Sequence, residues 1–142
     1  MPSASNSITI ARSPSDVFAF VADGTNARQW RPGVLDIALE SGQGIGATYR
    51  QGVKGPGGRR VAADYEVTAW EPGRRLAFRA IAGPVRPTGE YRFEPAGSGT
   101  TVTFSLQADL SFLKRLVMGG AVQGSMDAEV AALAKLKSIL EA

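Results

Sequence analysis

The middle of the chain, residues 34–108, alternates apolar and polar side chains in short runs, and this pattern limits the fold more than any other feature. Clusters rich in glycine and proline separate the runs: SGQGIG, KGPGGR, EPGR, GPVRP and EPAGSG. Such clusters supply residues that tolerate positive φ or fix a bend, so each is typical of a turn between strands. The pattern predicts an antiparallel sheet of hairpins. The predicted strands are Val34–Glu40, Ala47–Val53, Arg60–Trp70, Arg75–Ala82, Gly89–Glu94 and Thr100–Ala108.

The segment before this sheet predicts one strand and two short helices. Residues 7–11 alternate as a short strand does. In the stretch SPSDVFAFVADGTNARQWRPG, Ser13 is the expected N-cap of the first helix and Pro14 its first residue. The DGTN sequence at residues 23–26 then breaks the helical spacing and predicts the cap of a second short helix that reaches Trp30. Arg31, Pro32 and Gly33 are expected only to end that helix.

The last part of the chain predicts a long amphipathic helix. From Ser111 onward it would cover about 31 residues, or roughly 46 Å at the rise of an α-helix. Gly119, Gly120 and Gly124 weaken its first half, so we expect a kink, a loop or a frayed turn there. Apolar residues at steps of three or four form one stripe, which must pack on another element: Met126, Val130, Leu133, Leu136 and Leu140.

Composition excludes several kinds of chemistry. The 142 residues fit a single domain, 1–142, with a sizeable core. The sequence contains no cysteine, which excludes a disulfide framework, a thiolate nucleophile and a thiolate metal site. It also contains no histidine, the commonest general base and metal ligand. We therefore expect no metal and no cofactor.

Charge and hydropathy bear on the partners. The net charge of +3 comes from scattered arginines, with adjacent basic pairs only at residues 59–60, 74–75 and 114–115, so nucleic-acid binding is not expected. No apolar run approaches the roughly 20 residues that span a bilayer, so no integral membrane segment is expected. Residues 1–7 are too polar and too short for a signal peptide. The expected location is the cytoplasm.

Five stretches, taken in order, carry a family resemblance. They are SPSDVFAFVAD with the following WRPGV, then GIGATY, then YEVTAWEPGRRLAFR, then YRFEP with GSGTTVTF, and finally the long amphipathic helix. On these the chain resembles, over nearly its full length, the START-like or SRPBCC superfamily, in its polyketide cyclase/dehydrase and lipid-transport branch. The resemblance implies an α+β helix-grip fold, in which a seven-stranded antiparallel sheet curves around the C-terminal helix and encloses a cavity. The two short helices would brace one end, with Trp30 packed beneath them.

Alternation sorts the sheet residues into two faces, because residues i, i+2 and i+4 of a strand share a face. The polar set is expected on the outer face, where its carboxylates would pair with basic side chains across strands instead of doing acid–base work. That set is Asp36, Glu40, Arg50, Asp64, Glu66, Thr68, Arg79, Glu90, Arg92, Glu94, Thr101 and Thr103, with Trp70 near a strand end. The apolar, concave set is Leu35, Ile37, Leu39, Ala47, Tyr49, Gln51, Val53, Val61, Ala63, Tyr65, Val67, Leu76, Phe78, Ala80, Tyr91, Phe93, Val102, Phe104 and Leu106.

The candidate ligand-binding residues combine this face with the helix. All three tyrosines fall on the concave face and would give an apolar cavity a few polar tips. The alternative is that they fill the core with hydroxyls bonded to the backbone. No catalytic residue is assigned. The candidates are Tyr49, Gln51, Tyr65, Phe78, Tyr91, Phe93 and Phe104 from the sheet, and Met118, Val122 and Met126 from the helix.

Three functions remain open. The first is the binding, with or without transfer, of a small hydrophobic molecule such as a lipid, an isoprenoid or an aromatic polyketide-like compound. The second, implied by the resemblance, is a polyketide cyclase/dehydrase-type enzyme that works by positioning its substrate. The third is a protein-interaction module with a vestigial cavity, in which the apolar segment 110–118 is a portal, a partner patch or a membrane-touching edge. A homodimer is also left open.

Overall fold

A computed structural model of the protein describes residues 2–83, 85–109 and 112–142, with their side chains except those of residues 56 and 112–119. Two short helices lie between the first and second strands of one antiparallel sheet, and two further helices follow its last strand. The strands are β1 Ser3–Ile10, β2 Val34–Ser41, β3 Thr48–Lys54, β4 Arg60–Ala62, β5 Tyr65–Glu71, β6 Arg75–Ala80, β7 Thr88–Ala96 and β8 Gly99–Gln107. The helices are α1 Pro14–Ala22, α2 Ala27–Trp30, α3 Phe112–Ala131 and α4 Leu133–Leu140, with short 3₁₀ turns at Gly24–Asn26 and Pro56–Gly58.

The sheet has the order β1-β8-β7-β6-β5-β3-β2, and β4 pairs with β3 beside β5. All pairs are antiparallel, and both α3 and α4 pack on the β1 end. The predicted helix-grip architecture is therefore confirmed. Apart from the first strand and the predicted strand Arg60–Trp70, the predicted strands match the observed ones to within two residues at either end.

The predicted strand Arg60–Trp70 is interrupted at Ala63 and Asp64, which divides it into β4 and β5. Both parts keep the same register on β3, Ala62 opposite Gly52 and Tyr65 opposite Tyr49. At the interruption the Asp64 carboxylate accepts the Gln51 backbone N–H at 3.2 Å. The eight strand segments thus correspond to the seven strands expected from the sequence.

The first strand begins at Ser3, four residues before its predicted start, although SASNS is not a strong strand sequence. The reason is tertiary, because β1 pairs with β8 along its whole length. Hydroxyl groups face each other across this pair, with oxygen–oxygen distances of 3.1 Å for Ser5 and Ser105 and 2.8 Å for Ser7 and Thr103. Such cross-strand pairs stabilise a strand whose own residues favour it little.

The N-terminal helices follow the sequence signals. The Asp16 backbone N–H donates to Ser13 Oγ at 3.2 Å, which confirms the predicted N-cap. Asp23 Oδ1 accepts the Thr25 N–H at 3.1 Å and caps the 3₁₀ turn that leads into α2. Trp30 at the end of α2 is buried, with its ring 6.2 Å from that of Tyr91. The α1 face that packs on the core consists of Val17, Phe18, Val21 and Ala22.

The C-terminal helix differs from its prediction. Its backbone is helical without a break from residue 112 to residue 131, so the interruption expected at Gly119, Gly120 and Gly124 is wrong. An added Cβ at Gly120 or Gly124 would meet no atom within 4 Å, so these glycines are not required for close packing. The helix is interrupted instead at Ala132, after which α4 begins.

Two register shifts overturn part of the face assignment. Strand β2 pairs irregularly with β3 between Val34 and Asp36, and Leu35 at this shift is 37% exposed, so its concave placement is wrong. Leu39 lies opposite Tyr49 on the concave face, as predicted, and it is 49% exposed because β2 is an edge strand of the sheet. A bulge between Val67 and Ala69 turns Trp70 to the concave side, where its ring lies 5.2 Å from that of Phe18. A β-bulge adds one residue to a strand and reverses the faces beyond it.

The carboxylates of the central strands lie on the outer face, as expected. Glu66 pairs with Arg79 at 2.9 Å, and Glu90 pairs with Arg75 at 2.5 Å and with Arg92 at 2.6 Å. These groups are paired with basic side chains on the outside of the sheet and contribute nothing to the concave side.

Candidate functional site

A cavity of about 540 Å³ lies between the concave face of the sheet, the N-terminal helices and α3. Its volume is in the range of small-molecule sites. Most of its wall is apolar, and most of the candidate residues lie on it. Those candidates are Tyr49, Gln51, Tyr65, Phe78, Tyr91, Phe104, Val122 and Met126.

Two candidates do not lie on the described wall. Phe93 is buried, but it packs on the other side of Tyr91, with its ring 5.3 Å from Phe18 of α1. It is a core residue between the sheet and α1. The side chain of Met118 falls outside the described part of the structure, and so do the other side chains of the apolar segment 110–118, whose role as portal, patch or edge therefore stays a prediction.

Aromatic rings form a continuous layer across the cavity wall. Tyr49 and Tyr65 are stacked with their centroids 5.0 Å apart, and Tyr91 is stacked on Phe104 at 4.1 Å. Phe78 joins the two stacks, 5.5 Å from Tyr65 and 6.3 Å from Tyr91. This layer fixes the directions of the three phenol rings.

The hydroxyl of Tyr49 has a structural role. It accepts a hydrogen bond from the backbone N–H of Gly24 at 3.3 Å. A Cβ on Gly24 would collide with the Tyr65 hydroxyl and would lie 2.8 Å from Cε2 of Tyr49, so only glycine allows this approach. Tyr49 therefore behaves as the core alternative predicts, with its hydroxyl bonded to the backbone.

Tyr65 and Tyr91 differ from Tyr49. Neither hydroxyl forms a hydrogen bond within the described part of the chain, and neither is sealed off from the cavity that both residues line. Burial raises the pKa of both phenols above the ordinary value, and the nearby positive charge of Arg31 offsets only part of this rise. Both therefore remain protonated at neutral pH and can donate a hydrogen bond into the cavity.

The main polar group of the site is one that the sequence analysis missed. Arg31, the residue that ends α2, extends into the cavity and meets Glu129 of α3. Its Nε donates to Glu129 Oε2 at 2.8 Å and its Nη2 to Oε1 at 3.1 Å, while Nη1 donates to Gln51 Oε1 at 3.0 Å. The Gln51 amide is held in turn by donation from Nε2 to the Ala63 carbonyl at 3.0 Å. The three side chains form one hydrogen-bonded cluster in an otherwise apolar wall.

This cluster is largely removed from water. The side chains of Arg31 and Glu129 are 14% and 20% exposed. Burial alone lowers the pKa of the Arg31 guanidinium, but attraction and hydrogen bonding to the Glu129 carboxylate raise it by more, so the pKa lies above its ordinary value. Arg31 is charged at every pH at which the protein is studied, and its charge is balanced within the cavity.

One signal in the sequence could have revealed Glu129. It lies three residues after Met126 and four before Leu133, so it falls within the apolar stripe of the helix. A charged residue on a buried stripe requires a partner. For Arg31 the sequence offers no such signal, because its position between Trp30 and Pro32 is equally typical of an exposed helix end.

A family model matches almost the whole chain. The model of the family described as polyketide cyclase / dehydrase and lipid transport matches residues 1–137. The uncharacterized protein Rv2574 of Mycobacterium tuberculosis is 26% identical over 110 residues, which is 75% of this chain. The chain covers 65% of the length of that curated relative.

Solved structures share the fold. TTHA0849 from Thermus thermophilus superposes with a TM-score of 0.83 at 21% identity, over 98% of this chain and 97% of that one. A START superfamily protein from Mycobacterium smegmatis superposes with a TM-score of 0.79 at 16% identity, over 98% of this chain and 97% of that one. The di-domain ARO/CYC protein StfQ from the steffimycin biosynthetic pathway superposes with a TM-score of 0.79 at 14% identity. The match covers 98% of this chain and 50% of StfQ. Among the described residues, no helix combines the length and the apolar character needed to cross a membrane.

Proposed function

Because the chain belongs to the polyketide cyclase/dehydrase and lipid transport family, whose START-like fold it has, we propose that it binds a small hydrophobic molecule in the cavity between sheet and C-terminal helix. The observation that carries the proposal is the wall itself. A cavity of about 540 Å³ is lined mainly by aromatic and aliphatic side chains and contains the polar cluster of Arg31, Glu129 and Gln51. Ligand sites combine an apolar wall with a few fixed polar groups in this way.

The phenols of Tyr65 and Tyr91 support the same proposal. Both hydroxyls are accessible from the cavity and form no hydrogen bond within the described part of the chain, so both are available to a polar group of a ligand. The hydroxyl of Tyr49 is already used by Gly24. Tyr49 and Tyr65 are stacked on each other, but only the Tyr49 hydroxyl is bonded to the backbone of the described residues. The two residues therefore allow a matched comparison of a structural hydroxyl with one that faces the cavity.

Native mass spectrometry of freshly purified protein, followed by solvent extraction, tests the proposal directly. We expect a bound apolar molecule at one copy per chain. Repeated preparations with no added mass, together with no binding of fluorescent apolar probes, would contradict it.

Single Tyr→Phe variants test the site at higher resolution. Tyr65→Phe is expected to weaken binding of the extracted molecule about five- to a hundredfold, with little change in stability. Tyr49→Phe is its control, and it should lower the free energy of unfolding by about 1–3 kcal/mol because the Gly24 N–H loses its acceptor. Thermal melting and ligand titration of both variants separate the two effects. Equal losses of stability without a selective loss of affinity would assign Tyr65, like Tyr49, to the core.

A second candidate is polyketide cyclase/dehydrase-type catalysis. The observation that favours it is the Arg31 guanidinium on the cavity wall, whose two remaining N–H groups would hydrogen-bond a substrate ketone and hold it in position for enolisation. StfQ, which shares the fold, is titled an ARO/CYC protein. The raised pKa of Tyr65 and Tyr91 makes both phenols weak acids, so such an enzyme would act mainly through positioning.

Incubation with a linear poly-β-ketone thioester analogue tests this second candidate. Cyclised product that forms faster than in buffer, and faster than with the variant Arg31→Met, would support it. A rate equal to that in buffer would leave ligand binding as the function.

A further inference from the structure

We infer that the cavity selects for a neutral ligand whose polar group is a hydrogen-bond acceptor such as a ketone or quinone carbonyl, and that it discriminates against carboxylates and ammonium groups. The inference rests on the proposed function and specifies the chemistry of its ligand. It follows from the charge balance and from the remaining hydrogen-bonding capacity of the Arg31–Glu129–Gln51 cluster.

The charge balance comes first. The charged residues on the described wall are Arg31, Glu129 and Lys54. Lys54 is exposed, and its charge is hydrated at the end of β3. Arg31 and Glu129 neutralise each other through two hydrogen bonds of 2.8 and 3.1 Å. The buried part of the wall therefore carries no net charge.

The neutralised pair of Arg31 and Glu129 opposes the binding of an ionic ligand. A carboxylate that reached Arg31 would lie beside the Glu129 carboxylate after losing its own hydration, and both effects oppose binding. An ammonium group would meet the same difficulty with the Arg31 guanidinium. A neutral polar group avoids both repulsions and has little hydration to lose.

Hydrogen-bonding capacity narrows the choice among neutral groups. A guanidinium carries five N–H donors, of which Arg31 uses three on Glu129 and Gln51. One N–H remains on each Nη atom. The protonated hydroxyls of Tyr65 and Tyr91 can donate as well. On the acceptor side, both Glu129 oxygens and Gln51 Oε1 are already engaged by Arg31. Each of these oxygens can accept a further hydrogen bond, but all three already have a donor, whereas the two remaining N–H groups of Arg31 have no acceptor within the described part of the chain. The ligand group that matches these unpaired N–H groups is an acceptor.

Three fluorescent probes with one aromatic body test the selection: acetylpyrene, pyrenecarboxylate and pyrenylmethylammonium, titrated into the full chain at pH 7.5. The ketone is expected to bind about tenfold more tightly, or more, than either ion. Equal affinities, or a tighter carboxylate, would overturn the charge selection and leave the proposed function intact. If none of the three probes binds, the proposed function itself is contradicted.

The variant Glu129→Gln tests the cause. It keeps the shape of the side chain and removes the balancing charge, which leaves Arg31 as a buried cation. The ratio of carboxylate to ketone affinity should rise about tenfold or more relative to the unchanged protein. The variant Asp127→Gln, on the exposed side of the same helix, is the control and should leave that ratio unaltered. An unaltered ratio in Glu129→Gln would refute the role of Glu129, and if this variant fails to fold, the ranking of the three probes on the unchanged protein decides.

Discussion

Removing Arg31 alone should destabilise the protein far more than removing Arg31 and Glu129 together. In the variant Arg31→Met, the Glu129 carboxylate stays in the cavity wall after losing two hydrogen bonds and its counter-charge, and Gln51 Oε1 loses its donor. In the double variant Arg31→Met/Glu129→Met, no unpaired charge remains. Methionine also fills the space of both side chains with apolar atoms.

The magnitude follows from the exposure of the pair. Breaking a fully buried ion pair by removing one partner costs about 3–5 kcal/mol, whereas a surface pair contributes about 0–1 kcal/mol. Arg31 and Glu129 are 14% and 20% exposed, which places them near the buried limit. We expect a loss of about 3 kcal/mol for Arg31→Met and of about 1 kcal/mol or less for the double variant.

Urea unfolding followed by tryptophan fluorescence measures both values, since Trp30 precedes Arg31 and is itself buried. The matched control is Arg79→Met, which breaks the exposed pair with Glu66 on the outer face and should change stability by less than about 1 kcal/mol. Two results would refute the reasoning. One is a loss in Arg31→Met no larger than in the control, and the other is a double variant whose loss is at least as large as that of Arg31→Met alone.

Two further outcomes are expected. Gly124→Ala should raise the free energy of unfolding by about 0.5–1 kcal/mol, because the helix is continuous there and the added Cβ meets no atom within 4 Å; a lower melting temperature would contradict the uninterrupted helix. For Glu90, burial raises its pKa, but hydrogen bonds from Arg75 and Arg92 outweigh this and hold it below the ordinary value of 4.5. The stabilisation from Glu90 is therefore fully present above about pH 4.5 and is lost as the pH falls below it. The stability difference between the unchanged protein and Glu90→Gln should stay constant above that pH and shrink in acid, and a constant difference down to pH 3 would exclude the effect.

Local chemistry allowed much of the fold to be predicted. Ser13 caps α1 as its side chain and the following proline indicate, and the turn clusters separate the observed strands. Alternation places Tyr49, Tyr65 and Tyr91 on the concave side, because the periodicity of two holds wherever the ladder is regular. These features depend on residues close together in the chain.

The errors occur where the ladder is irregular. Leu35 lies at a register shift in β2, and Trp70 follows a bulge in β5. One extra residue reverses the direction of every later side chain in the strand, and the sequences at these points contain no glycine or proline that would mark the change. The assignment of side chains to faces from alternation therefore fails at these points, and no nearby residue indicates the failure.

The polar cluster of the cavity could not be predicted for a different reason. Arg31 and Glu129 belong to elements at opposite ends of the chain, and only the closed fold brings them together. Glu129 carries a signal in its position on the apolar stripe, but its partner does not. A single sequence does not show which of its 16 basic residues approaches that carboxylate.

The pairing of β1 with β8 has a consequence for how the molecule is made. Ser3 lies opposite Gln107 and Ile10 opposite Thr100, and α3 and α4 pack over the same edge. During synthesis the N-terminal residues leave the ribosome first, so β1 waits without its partner strand until the region of β8 has emerged. Over that interval the aromatic layer of the nascent sheet lacks α3 and α4, which follow β8 in the chain. The entropy of closing the long loop between β1 and β8 must be lost before the contacts between these strands can form. Folding is therefore slow, on the scale of milliseconds to seconds. We therefore expect the chain to fold mainly after translation, and its nascent form to be a substrate for chaperones that shield apolar surface.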